Sequence, residues 1–71
     1  RICARIARAC GWKGSPSVFV SALYRIFQEY GYTYSVHSLE YMARKQRILV
    51  EDNYVTIYQD GEVIAEGYIE E

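Results

Sequence analysis

Several things are scarce in this chain. No apolar run approaches the roughly 20 residues that a membrane-crossing helix needs, and the start lacks the charged-then-apolar order of a secretory leader. The expected location is therefore the cytoplasm, with no membrane partner. Cysteine occurs twice, at Cys3 and Cys10. In a helix that spacing sets the two thiols two turns apart on one face, too far to bond to each other, and both read as reduced core residues. The only histidine, His37, stands without an identifiable nucleophile or orienting carboxylate, which removes the logic of a catalytic triad. With Cys3 and Cys10 it would make three metal donors, but no C-x-x-C pair is there to preorganise them, and no metal or other cofactor is expected. No glycine-rich loop can hold a nucleotide, and a domain this small has little room for a preformed pocket. The chain is expected to be neither an enzyme nor a small-molecule binder.

Basic residues are missing from one third of the chain. Residues 1–47 carry eight basic and two acidic side chains, whereas residues 48–71 carry seven acidic and none basic. The formal net charge of −1 hides a dipole. A near-neutral total does not exclude nucleic acid, because phosphate binding depends on a local cluster of Arg and Lys that displaces counterions. The competing expectation is that the acidic segment pairs with the basic one inside the fold, so that the surface field cancels.

What is present is enough for one packed domain over residues 1–71. Apolar residues make up 51% of the chain, too many for disorder, and at this length the core cannot be divided. Eight tyrosines suit the rim of a small core, where the ring is buried and the hydroxyl reaches water or a polar partner.

Residues 2–10, ICARIARAC, place Cys3, Ile6, Ala7 and Cys10 at the i, i+3, i+4, i+7 spacing of an apolar helix face, opposite Arg1, Arg5 and Arg8. Gly11 supplies a left-handed stop against which Trp12 can fold back. Ser15 before Pro16 starts a second helix, since the hydroxyl caps free amides and proline sits where its missing N–H costs nothing. Its inward stripe is Phe19, Ala22, Leu23, Ile26, Phe27 and Tyr30, and Gly31 ends it. Ser35 caps a third helix with Val36, Leu39, Met42 and Ala43 inward. His37, Ser38, Tyr41, Arg44 and Lys45 then face outward, with Arg47 at the exit.

After Arg47 the period changes to β-branched and aromatic runs. The expectation is a hairpin from about Ile48 to Tyr58, a tight turn at Asp60-Gly61, and then a third strand or a short terminal helix over residues 62–71. The fold class is α+β: three short helices followed by a hairpin or small antiparallel sheet.

In its order of elements, the stretch "SVHSLEYMARKQRILVEDNYVTIYQDGE" resembles the winged helix-turn-helix superfamily. The resemblance is one of architecture and covers nearly the whole chain. It implies that the third helix enters the major groove of double-stranded DNA, as in a transcriptional regulator, with His37, Ser38, Tyr41, Arg44 and Lys45 facing the groove. Arg47, Arg5 and Arg8 are further expected phosphate contacts. The pattern departs at the wing, where Glu51, Asp52, Asp60 and Glu62 would be repelled by phosphate. A second register makes "ARIARACGWKGSPSVFVSALYRIF" the helix-turn-helix, presenting Ser15, Ser17, Ser21, Tyr24 and Arg25.

Tyr41 and Tyr34 can stack on bases or pack at the rim of the core. Arg44 and Lys45 equally suit a solvated helix end, where cations favour the C-terminal dipole. One small copy buries too little surface for tight specific binding, so a symmetric homodimer is expected. The alternative function is a protein-interaction or dimerisation module that uses the acidic, tyrosine-rich C-terminal sheet, with EVIAEGYIEE adding to a partner's sheet.

Overall fold

The computed structural model describes residues 1–69. Helices α1 (Ile2–Cys10), α2 (Pro16–Glu29) and α3 (Val36–Arg44) precede strands β1 (Ile48–Glu51), β2 (Tyr54–Gln59) and β3 (Glu62–Tyr68), giving the expected α+β arrangement. The three strands form one antiparallel meander in the order β1-β2-β3. Residues 62–68, open between helix and strand from the sequence, are strand; residues 70 and 71 lie outside the described part.

Helices α2 and α3 start at a serine cap, whereas α1 has no side-chain cap at Arg1. Ser15 and Ser35 accept from the backbone amides of Val18 and Ser38, capping α2 and α3. All three helices end in the same paired-bond motif, around a left-handed residue that turns the chain back on itself. The amide of the residue after it reaches a carbonyl one turn inside the helix, as Trp12 does to Ala7, Tyr32 to Phe27 and Arg47 to Met42. Gly11 and Gly31 take the left-handed position in α1 and α2, but in α3 it falls to Gln46 at φ 58°. A side chain there costs free energy that glycine would not. Trp12 does fold back: its ring stacks on Phe19 with centroids 5.6 Å apart, and its Nε1 donates to the Ser15 carbonyl.

One core fills the space between helices and sheet. Ile6, Phe19, Leu23, Ile26 and Phe27 from the first two helices, and Leu39 from α3, meet Ile48, Val55, Ile57 and Ala65 from the strands, all essentially without solvent exposure. Tyr30 is a correction to the expected stripe. It caps the C-terminus of α2 and is 49% exposed, and its hydroxyl donates to the Glu66 carbonyl. Val20 is buried in the core instead.

At Asp60-Gly61 both residues have positive φ, 54° and 81°, as the tight turn requires. Downstream, Ile64 is one extra residue between the pairs Ile57–Ala65 and Tyr58–Val63, a bulge in β3. Gly67 lets β3 approach α2 closely, because a Cβ there would lie 3.1 Å from Ile26 Cγ1. Beside it, Arg25 donates to the carbonyls of Tyr68 and Ile69. Together with Tyr30 on Glu66, these bonds occupy β3 backbone that was expected from the sequence to be open to a partner's strand.

Among the helices, α2 and α3 each pack on α1 or on the sheet, and no backbone of α2 comes close to α3. This leaves the outer face of α3 bordered by α1 on one side and by the β1–β2 end of the sheet on the other.

Candidate nucleic-acid interface

Two clusters on the outer face of α3 contain most of the cations singled out from the sequence. In the first, Glu40 sits between two arginines: Arg5 Nε lies 2.7 Å and Arg44 Nη2 lies 3.0 Å from the same Oε2. The Glu40 side chain is only 12% exposed, whereas both arginines lie largely in solvent. The hydrogen bond from Arg5 holds the Glu40 carboxyl below the ordinary carboxylate range and raises the Arg5 guanidinium. One carboxylate thus aligns two guanidinium groups from different helices and leaves a positive excess.

In the second cluster, Tyr41 is 54% exposed, with Lys45 Nζ 5.7 Å and the Arg47 guanidinium carbon 5.8 Å from its ring centroid. Both distances are within cation–π range. Arg47 reaches back because the left-handed Gln46 reverses the chain, and its backbone is fixed at both ends: its amide bonds Met42 and its carbonyl accepts from Tyr58 at 2.7 Å. Successive turns of one short helix carry Glu40 and Arg44 toward α1 and Tyr41 and Lys45 outward.

The four cations therefore fall into two adjoining pairs on the α3 side of the molecule, Arg5 and Arg44 on Glu40 and Lys45 and Arg47 on Tyr41. His37 is exposed on the same face one turn before Tyr41, and Ser38 is half-buried beside it. Arg8 is exposed in the last turn of α1, but among the described residues it makes no ion pair and nothing ties it to the α3 cluster. The second register fares differently. Ser15 is used as the cap of α2, and Arg25 is engaged by β3 carbonyls and by Glu29 at 3.7 Å.

Among the described residues, pairing of the acidic segment with the basic one is contradicted. The ion pairs among the described residues use only Glu29 and Glu40, both in helices, and none joins the sheet to a helix. Glu51, Asp52, Asp60, Glu62 and Glu66 are instead exposed.

An open cleft of about 380 Å³ runs beside α3, between the helix and the far end of β2. Tyr34, His37, Ser38, Tyr41 and Arg47 line it from the helical side, Met42 forms part of its base, and Tyr58 and Gln59 come from β2. Phe27 packs edge-on against Tyr34 with centroids 4.8 Å apart, and the Tyr34 hydroxyl lies 3.5 Å from Gln59 Oε1.

Sequence reasoning missed Glu40, Tyr58 and Gln59. The i, i+4 spacing of Glu40 and Arg44 was a visible signal for the first, but nothing local pointed to the pairing of Arg5 with Glu40 or to the β2 pair. The thiols are free, and burial pushes Cys10 up to about 11, so it stays protonated and unreactive near neutral pH. No three His, Cys, Asp or Glu side chains gather into a metal site among the described residues, and no described helix is long and apolar enough to cross a membrane. In comparison with known proteins, the chain matches no family model, no curated protein and no solved structure.

Proposed function

We propose that this domain binds double-stranded DNA through the outer face of α3, in the manner of a small transcriptional regulator. The observation that carries this reading is the placing of two cation pairs by one short helix, Arg5 and Arg44 on Glu40 and Lys45 and Arg47 on the exposed Tyr41, with Glu40 the one carboxylate among them. Cations on one surface release condensed counterions together, which drives association with a polyanion. In the groove, Arg44 has the fork geometry to read guanine, while His37, Ser38 and Tyr41 supply shorter polar contacts. The β1–β2 hairpin carries Glu51 and Asp52 and is held off the phosphates.

The whole surface of the chain is 4660 Å², and specific DNA interfaces bury roughly 1,000–2,500 Å² of protein. One face of so small a copy reaches at best the low end of that range, so tight specific binding uses two copies on successive half-sites. The test is fluorescence anisotropy with duplex DNA across a salt series. Replacing Arg44 and Arg47 by alanine is expected to weaken binding at every sequence and to reduce the salt slope by about one for each phosphate no longer neutralised. Unchanged affinity would remove the α3 assignment.

A second reading rests on the other side of the molecule. Leu49 and Val63 are each 48% exposed and Tyr68 is 59% exposed on the outer sheet face, which suits a protein partner or a second copy. Leu49→Arg together with Val63→Arg would abolish such an association, as read by sedimentation.

A further inference from the structure

The proposal that α3 binds DNA uses His37, Ser38, Tyr41 and Arg47 from one wall of the cleft beside it but leaves the cleft itself unfilled, since a base stacked inside a duplex cannot enter. Its lining is selective in kind. Three tyrosine rings and the Met42 side chain offer faces for an aromatic ring, Gln59 and Ser38 offer hydrogen bonds, Arg47 offers a cation, and no carboxylate lines the cleft. The volume of about 380 Å³ is near the low end of the roughly 300–1,000 Å³ typical of ligand sites, a size for a single base and not for an extended ligand.

The charges also give the cleft a direction. Arg47 lies at the α3 end. Beyond Gln59 and Tyr34, the neighbouring depression is lined by Asp60 and Glu62, so an anionic group is drawn to the Arg47 end and repelled from the other. A planar, neutral ring joined to an anion matches this arrangement.

We infer that the cleft seats one unpaired nucleotide of a DNA strand, its base against the rings of Tyr41 and Tyr58 with polar contacts to Gln59, and its phosphate on Arg47. The inference rests on the α3 reading, because the cleft opens on the same face and the strand must arrive there as part of a bound duplex. The preferred substrate is then duplex DNA with a bulged, frayed or flipped base, and not a continuous helix. Aromatic stacking serves this recognition because every base has a π-face, so the preference is for the unpaired state over any particular sequence.

The experiment compares the intact chain on two probes of the same sequence, a continuous duplex and one with a single-nucleotide bulge. The bulged probe is expected to bind about tenfold more tightly, the size of effect one stacked base gives. That ratio should fall toward one in Tyr58→Ala and persist in Tyr58→Phe, which keeps the ring. A fluorescent base analogue, 2-aminopurine, placed at the bulge reports without any variant: seating against a tyrosine quenches it, whereas a base left in solvent stays bright. Equal affinity for both probes, an undimmed bulge or a ratio unmoved by Tyr58→Ala would overturn the nucleotide seat and leave the α3 reading standing. Failure to bind either probe would overturn both.

Discussion

The outer faces of α3 and of the sheet are both exposed and both carry tyrosine, yet they are built in opposite ways. On α3 the charges are organised by contact, through the Arg5–Glu40–Arg44 bridge and the two cations against Tyr41. On the sheet, acidic side chains stand among exposed apolar ones, and the Tyr54–Tyr68 ring pair is the main ordered feature, with Glu66 accepting from the Tyr54 hydroxyl and raising it. The lesson is that charge sorted along this chain is also sorted in space. Because no ion pair between sheet and helices cancels it among the described residues, each face keeps its own field.

The strongest way to break the contrast is to loosen the core that holds the two faces apart. Phe27→Ala should cost about 3–5 kcal/mol, measured by urea unfolding, and should disturb the cleft as well, since Phe27 supports both Tyr32 and Tyr34. Gly67→Val is a narrower cut. The new side chain meets Ile26, overpacking costs roughly 1–3 kcal/mol, and if the α3 face works alone, DNA affinity measured well below the melting point should not change.

Glu40→Gln sharpens the comparison from the other side. Removing the only carboxylate of the cluster should tighten DNA binding and steepen the salt dependence by about one. It also exposes a pH effect of definite sign. Glu40 has a lowered folded value, so its contribution to stability is full above the ordinary carboxylate range and is lost as pH falls through that lowered value. The melting temperatures of the native chain and of Glu40→Gln should accordingly differ near neutral pH and converge in acid. The smallest expected effect is at Gln46. Replacement by glycine relieves the left-handed strain and should raise stability by up to about 1 kcal/mol, read as a shift in the urea midpoint.

How much of this was legible depended on distance along the chain. The start of α2 could be read from Ser15-Pro16, and the β2–β3 turn from Asp60-Gly61, because both signals act on backbone within a few residues. The outward set on α3 followed from helical period alone. Tyr30 was misplaced because the period continues through it while the helix ends at Glu29. The end of α3 gave no signal, since glutamine rarely takes a left-handed stop. The Arg5–Glu40 bridge joins positions 35 apart, and the cleft needs β2 folded beside α3, so neither is written in any local pattern.

The bonds from Arg25 and Tyr30 to β3 also limit how copies of this protein can add to one another. With the Glu66 and Tyr68 carbonyls of that border engaged by side chains of α2, the four-residue strand β1 is the less obstructed side at which the sheet could be extended, and among the described residues no side chain hydrogen-bonds to it. Two copies joined antiparallel along β1 would form a continuous six-stranded sheet about a two-fold axis. Further addition along the Glu66–Tyr68 part of β3 in such a pair would have to displace the bonds from Arg25 and Tyr30.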